Sequence, residues 1–253
     1  NPRSAGPGMK EANMKVAIIP ARGGSKRIPR KNLKNFCGQP IIAWSINAAK
    51  QSGLFDRIIV STDDEEISRV AQDLGAEVPF VRPAELSDDH ATAFAVTQHT
   101  IGWLHAQGIK PDYVCVIYAT APFVRAKHIK AAYEKLKNTD KQYIFSVTSF
   151  PFPIQRGIRI NAQGEVEGLH PEHFFTRSQD LEEAFHDAGQ FYWGKPQAFL
   201  DGTILHSTAA LPYVLPRYLV QDIDTLEDWR RAELMFQALL ETGELDPPPA
   251  KNH

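Results

Sequence analysis

The chain has 253 residues, with 28 Lys+Arg against 30 Asp+Glu and a formal net charge of -2 with histidine neutral. That balance supplies no broad basic face for nucleic acid, while 43% hydrophobic residues are enough to bury a real core in one large or two small domains. No apolar run approaches the ~18 residues of a membrane helix. The two cysteines, Cys37 and Cys115, are too few for a disulfide framework or a cysteine zinc site, which points to a reducing, cytoplasmic setting.

Residues 1–13 lack the apolar centre of a signal peptide and read as an appended remnant or a disordered leader, so the folded unit is expected over 14–243 with a frayed Pro-rich tail at 244–253. Val16–Pro20 is a short apolar run read as a strand. After a polar glycine-containing loop, Ile41–Ser52 has helical spacing of Ile42, Ile46 and Ala49. Arg57–Ser61 predicts a second strand. Asp64–Leu74 predicts a helix with acidic residues at its positive end and Gly75 as its stop. A helix over Ala93–Gln107, a strand over Tyr113–Tyr118, a helix over Ala126–Leu136 and a strand over Tyr143–Thr148 continue the alternation, which implies parallel pairing in a doubly wound α/β sheet. The rhythm then breaks at Phe150-Pro151-Phe152-Pro153, and Asn161-Ala162-Gln163-Gly164 predicts a hairpin turn between Gly157–Ile160 and Glu165–Leu169. Residues 149–187 are therefore expected to form an insertion. Strands at Gln190–Trp193 and Arg217–Gln221 and an amphipathic helix over Thr225–Leu240 complete the pattern.

The chemistry concentrates first in Pro20-Ala21-Arg22-Gly23-Gly24-Ser25-Lys26-Arg27-Ile28-Pro29-Arg30-Lys31-Asn32, a loop leaving the C-terminal end of the first strand. Ligands in open α/β sheets bind there. Paired glycines let backbone N–H groups approach an anion, and Arg22, Lys26, Arg27, Arg30, Lys31 and Lys34 supply charge for a triphosphate. The spacing is neither a Walker loop nor Gly-x-Gly-x-x-Gly, which counts against ATPase and dinucleotide-binding readings. Asp222 and Asp224 flank Ile223 at the end of the last predicted strand, where alternate residues share a face and can converge on one hard cation such as Mg2+; helix capping by Asp224 is the competing explanation. Helix capping explains most of Ser61-Thr62-Asp63-Asp64-Glu65-Glu66. The nine histidines show no paired ligand spacing, and His186 beside Asp187 reads as structural. With no Ser/His/Asp or Cys/His nucleophile arrangement, direct displacement on phosphorus is the expected chemistry.

Ala21-Arg22-Gly23-Gly24-Ser25-Lys26, Lys31-Asn32, Ser61-Thr62-Asp63, Arg82-Pro83-Ala84-Glu85-Leu86 and Asp222-Ile223-Asp224, in this order, resemble the CMP-nonulosonate cytidylyltransferases, the CMP-sialic acid synthetase family. Tyr118-Ala119-Thr120-Ala121-Pro122-Phe123 and the stretch from Gln179 to Gly194 look like the pseudaminic acid branch, and they depart from the Gln-Pro-Thr-Ser-Pro-Leu and Asn-Gly of the sialic acid enzymes. The resemblance implies a Rossmann-like nucleotidyltransferase with an inserted dimerisation or lid element. It implies transfer of CMP from CTP to the anomeric hydroxyl of pseudaminic acid with release of pyrophosphate. Ala21, Arg22, Gly23, Gly24, Ser25, Lys26, Asn32 and Arg82 would hold the nucleotide. Arg22, Lys31, Asp222 and Asp224 would carry the chemistry, the two aspartates by holding Mg2+. Tyr118, Thr120, Arg177, Gln190 and Tyr192 would meet the sugar. Pseudaminic acid is a 5,7-diamino, 9-deoxy sugar bearing acyl groups, so its pocket can have aromatic walls, which Phe150, Phe152, Phe191 and Trp193 could supply; a subdomain core is the competing explanation for these residues. A homodimer follows from the same resemblance, with the insertion of one subunit over its neighbour's cleft. The alternatives are a sibling enzyme for sialic, legionaminic or ketodeoxyoctonic acid, and a non-catalytic nucleotide sensor, which has no need of both aspartates.

Overall fold

The computed structural model describes residues 13–245 and Pro247. The expected leader lies outside the described residues except for Asn13, and the expected tail lies outside them except for Glu244, Leu245 and Pro247. Leu245 is buried in one cluster with Leu239, so the packed chain runs past the expected boundary.

The chain opens with β1 (Lys15–Pro20), followed by a loop, a small antiparallel pair of β2 (Asn35–Phe36) and β3 (Gln39–Pro40), and helix α1 (Ile41–Ser52). Next come β4 (Arg57–Ser61), α2 (Glu65–Asp73), α3 (Ala93–Ala106), β5 (Tyr113–Ile117), α4 (Ala126–Lys137) and β6 (Tyr143–Ser149). The short strands β7 (Ile158–Ile160) and β8 (Val166–Gly168) precede β9 (Phe185–Gly194), α5 (Pro196–Leu200), β10 (Ala210–Val214) and α6 (Leu226–Glu241). The main sheet has the order β10-β6-β9-β5-β1-β4, in which β9 alone runs antiparallel to its neighbours.

The inner strand β1 is apolar from Val16 to Pro20 because it is covered on both faces. Ala17 and Ile19 join Val60, Ile117 and Trp193 in one buried cluster, whereas Val16 and Ile18 join Val114, Val116 and Tyr192 in the other. Local signals set the helix ends. Gly53, left-handed at φ 65, stops α1, and the side chains of Asp64, Thr92 and Thr225 cap α2, α3 and α6 by accepting from Ile67, Ala95 and Asp228 N–H groups. The Asn161–Gly164 turn forms as the sequence predicts: Asn161 Oδ1 accepts from the backbone of Gln163 at 3.0 Å and of Glu165 at 2.8 Å, with Gly164 at φ 79.

Two expected strands come out differently. Gln190–Trp193 is only the end of β9, which begins at Phe185 and pairs with β6 from Ser149 onward. The insertion returns the chain to the edge it left, so β6 and β9 form one long antiparallel arm without a crossover helix. Arg217–Gln221 is not a strand: Arg217–Leu219 is a single 3-10 turn, and the outer strand is Ala210–Val214. Pro212 lies within this strand because β10 is an edge, where a missing N–H is tolerated.

A third cluster holds Ile28, Phe36, Leu219, Ile223, Trp229 and Phe236, with the Phe36 and Phe236 rings 5.4 Å apart in edge-to-face contact. It anchors the basic loop through Ile28 and the aspartate segment through Leu219 and Ile223, fixing both against α6.

Candidate functional site

The loop after β1 is held by carboxylates as well as by packing. Gly23 N–H donates to Asp63 Oδ1 at 2.9 Å, and a Cβ added at Gly23 would stand 2.8 Å from Asp64 Oδ2, so only glycine fits this approach. Arg22 and Lys26 both pair with Asp89, the latter at 2.5 Å. Arg30 adopts a left-handed backbone at φ 54, held by its guanidinium on Asp64 at 2.6 Å and on Glu66 at 2.8 Å. Ala21 is buried and its N–H donates to Ser61 O at 2.9 Å. Gly24 is exposed with open space around it, Ser25 is half-buried, and Lys26 reaches into solvent. Asn32 is buried, its amide donating to Arg22 O at 2.9 Å, and so shapes the loop from beneath. Arg82 is also buried, and donates to Ser61 O at 2.7 Å, Ser61 Oγ at 3.2 Å and Leu86 O at 3.2 Å. Burial lowers its pKa, and these acceptors tie the segment after residue 81 to the end of β4.

The aspartates meet this loop from the other side. Thr225 caps α6, its own side chain and that of Asp228 forming a capping box, so capping by Asp224 is excluded. The Asp224 carboxylate instead pairs with Arg27 at 3.0 Å, while Lys31 donates its ammonium to Ile223 O. Because residues 221–224 are not a strand, the shared face expected from strand alternation does not exist. The coil nonetheless sets the two carboxyl groups close enough to act on each other: burial first, then the charge of Asp224, raises the pKa of Asp222. Lys31 is shifted down by burial, opposed by Asp224 and Asp222. Two carboxylates that repel each other beside a cationic loop form a donor set suited to a hard divalent cation.

The expected sugar contacts divide. Tyr118 and Tyr192 lie together with ring centroids 6.1 Å apart, and burial pushes the Tyr118 phenol up to about 12. Gln190 is buried under the aspartate segment, donating to Leu219 O at 2.7 Å, with Oε1 unpartnered. The Gln190 backbone carbonyl accepts from Tyr118 N–H at 2.9 Å. Thr120 is half-buried in the turn after β5. Arg177 is not brought to them within the chain: it is exposed on the insertion and pairs with Asp180 at 2.7 Å. Phe191 and Trp193 are not pocket walls. Both are fully buried toward α4, with Trp193 Nε1 donating to Ile129 O at 3.0 Å, because strand alternation turns them away from the Tyr192 face. Phe150 and Phe152 are exposed on the insertion.

Three carboxylates that shape the site were not singled out for it in the sequence. Asp63 and Asp64 had been explained by helix capping, which Asp64 does perform, and Asp89 had no motif to mark it. His186 Nδ1 lies 2.9 Å from the backbone carbonyl of Asp187, while the Asp187 carboxylate faces His206 at 3.2 Å, a partner the sequence did not mark.

Among the described residues, no helix is long and apolar enough to cross a membrane. A solved CMP:2-keto-3-deoxy-manno-octonic acid synthetase complexed with CTP shares the fold, with TM-score 0.62 and 16% identity over 92% of this chain and 100% of that one. A 4-diphosphocytidyl-2C-methyl-D-erythritol synthase from Anaerococcus prevotii shares it at TM-score 0.59 and 13% identity over 90% of this chain and 100% of that one. In sequence, the chain is 46% identical over 222 residues to a pseudaminic acid cytidylyltransferase of Campylobacter jejuni, covering 88% of this chain and 96% of the relative. A bifunctional Helicobacter pylori protein named for pseudaminic acid cytidylyltransferase and a sugar-nucleotide hydrolase is 33% identical over 88% of this chain, which spans 42% of that relative. Residues 16–201, which carry the basic loop, its anchoring carboxylates, Arg82 and the Tyr118 and Tyr192 pair, match the family model described as Cytidylyltransferase. On that match and on a relative aligned nearly end to end, the chain belongs to the cytidylyltransferase family.

Proposed function

We propose that this chain transfers CMP from CTP to the anomeric hydroxyl of pseudaminic acid, giving CMP-pseudaminic acid and pyrophosphate. The observation that carries the reading is the meeting of the basic loop with the Asp222–Asp224 segment, made by the Arg27–Asp224 pair at 3.0 Å and by Lys31 on the Ile223 carbonyl. A cationic cradle touching a carboxylate pair at the C-terminal edge of a parallel sheet suits a triphosphate and its counter-cation. The identity to relatives of that name supports the sugar.

In this reading the backbone of Gly23–Ser25 with Arg22 and Lys26 holds the triphosphate, and Lys31 stands by the α-phosphate. Asn32 keeps the loop in shape and Arg82 borders the base. The sugar hydroxyl oxygen forms a bond to the α-phosphorus as the bond from that phosphorus to the bridging β-phosphate oxygen breaks; the electron pair leaves with pyrophosphate and the hydroxyl proton passes to solvent. The residues contribute position and fixed charge. Asp222 and Asp224 would hold magnesium, which when bound neutralises charge on the departing pyrophosphate. Tyr118, Thr120, Gln190 and Tyr192 border the sugar.

The insertion supports a homodimer. Phe152, Ile158, Ile160, Val166, Phe174 and Phe175 are all exposed, more apolar surface than a short two-stranded arm leaves to water. A second copy would cover it and bring Arg177 to its neighbour's sugar carboxylate. Dependence on CTP supports a cytoplasmic setting.

The test is magnesium-dependent pyrophosphate release from CTP with pseudaminic, N-acetylneuraminic, legionaminic and ketodeoxyoctonic acids offered separately. Release with pseudaminic acid and confirmed product mass is expected. Release only with another sugar would move the assignment to a sibling activity. CTP binding without release from any sugar would favour a sensor.

A further inference from the structure

β9 enters the sheet with Phe185, His186 and Asp187 paired to the end of β6, Asp187 opposite Val147. On that face a groove of about 570 Å³ opens between β6, β9 and the edge strand β10, lined by Phe145, Val147, Phe185 and Val214 together with Asp187 and His206. The walls are apolar and one side carries a carboxylate. Asp187 Oδ1 accepts from Gly189 N–H at 2.8 Å and Oδ2 faces His206 Nε2 at 3.2 Å, which fixes the group and still leaves acceptor positions on it. His206 is itself held over the Phe145 ring, centroids 5.1 Å apart. The same carboxylate is near enough to both Tyr118 and Tyr192 for its charge to raise their phenols, after the larger effect of burial. The groove adjoins the two tyrosines through Phe145, which lines it and stands opposite Tyr192 in the β6–β9 register, with the Tyr118 ring 6.1 Å from that of Tyr192.

We propose that Asp187 is a specificity-determining residue, accepting the N–H of the 7-acylamido substituent of the sugar, where N-acetylneuraminic acid has a hydroxyl, while the acyl group lies in the groove along Phe145, Val147 and Val214, with His206 as the positioning residue that orients the carboxylate. This rests on the pseudaminic acid reading. An acylamido group joins one N–H donor to a short apolar end, and the groove offers one acceptor beside apolar walls. A hydroxyl at the same place still donates to Asp187 but leaves the apolar walls unfilled, a difference of about one to two powers of ten in kcat/KM. Strand alternation explains why Tyr192, and not Phe191 or Trp193, shares this face.

The experiment is steady-state kinetics with pseudaminic acid and with N-acetylneuraminic acid, plus CTP affinity, for wild type, Asp187→Ala, Asp187→Asn, His206→Ala and Val214→Phe. Val214 is 56% exposed, so a larger side chain there fills the groove without overpacking the core. Asp187→Ala and Val214→Phe are expected to raise KM for pseudaminic acid about tenfold or more, with kcat and CTP affinity held within about twofold. Asp187→Asn and His206→Ala are expected to fall between, because the amide oxygen still accepts and the unsupported carboxylate is still present. N-acetylneuraminic acid, if turned over, loses less. Unchanged KM in both Asp187→Ala and Val214→Phe overturns the proposal, as does an equal loss for both sugars. Joint loss of CTP binding in Asp187→Ala would make the residue a support of the Gly189 turn and also overturns it. A wild type inactive toward pseudaminic acid overturns the parent reading and this one together, whereas an active wild type with indifferent variants overturns this one alone.

Discussion

The main sheet with its helices and the insertion use aromatic residues in opposite ways. Around β1, β4 and β5, Trp193 and Phe191 are sealed between the sheet and the helices, and Phe36, Trp229 and Phe236 pack edge to face beneath the two loops that meet at the site. On the insertion, Phe174 and Phe175 touch mainly each other, with ring centroids 5.3 Å apart, and Phe175 is 93% exposed. The first region completes its own core and holds rigid loops, while the second has an apolar surface and no chain of its own to cover it. Hydrophobic composition alone does not distinguish them; the difference is the number of layers packed against each.

Trp193→Ala gives the sharpest contrast. Removing a fully buried indole that also donates to Ile129 O is expected to cost about 3–5 kcal/mol in denaturant unfolding. A loss under about 1 kcal/mol would mean that this region is packed no better than the insertion. Asp224→Asn comes next, with turnover expected to drop about 10²–10³-fold and fold stability little altered, since Thr225 rather than Asp224 caps α6. Wild-type turnover in that variant would remove the aspartate pair from the chemistry. Gly23→Ala should weaken CTP binding by about tenfold, or roughly 1.4 kcal/mol, because its Cβ meets Asp64 and shifts the loop; calorimetry with CTP measures it.

Asp64→Asn separates charge from capping, since asparagine caps as well as aspartate. The Arg30 guanidinium, helped by the Ile67 N–H, holds the Asp64 carboxyl down at about 2 from an ordinary 3.8. Its contribution is therefore complete above pH ~4 and is lost as pH falls through ~2. At neutral pH the variant should be about 1 kcal/mol less stable, allowing for solvent around Arg30, and the gap should close on acidification. A gap independent of pH would assign the cost to packing. The smallest effect is expected for Phe175→Ser, within about 0.5 kcal/mol in the stability of the single chain. Its consequence should appear in assembly, as a rise in the monomer fraction by light scattering. A loss of monomer stability comparable to that of Trp193→Ala would erase the contrast between the regions.

Much of this was legible in the sequence because it is local. The apolar run of β1, the glycine-containing basic loop, the capped acidic start of α2 and the Asn161–Gly164 turn are each set by neighbouring residues, and each forms where the pattern places it. The antiparallel course of β9 and the true position of β10 depend on which edge the insertion returns to and on an edge tolerating Pro212, and residue spacing carries neither. The same holds for side-chain facing. Period-two alternation puts Phe191 and Trp193 on one side and Tyr192 on the other, but only the elements packed on each face decide which buried cluster each ring joins. Asp89 on Arg22 and Lys26, Asp224 on Arg27 and His206 on Asp187 join residues 63–67, 197 and 19 positions apart. Sequence determined which groups were available as charges, caps and turns. Their partners were chosen by the tertiary fold, because ion pairing and burial depend on distance in space and not on distance along the chain.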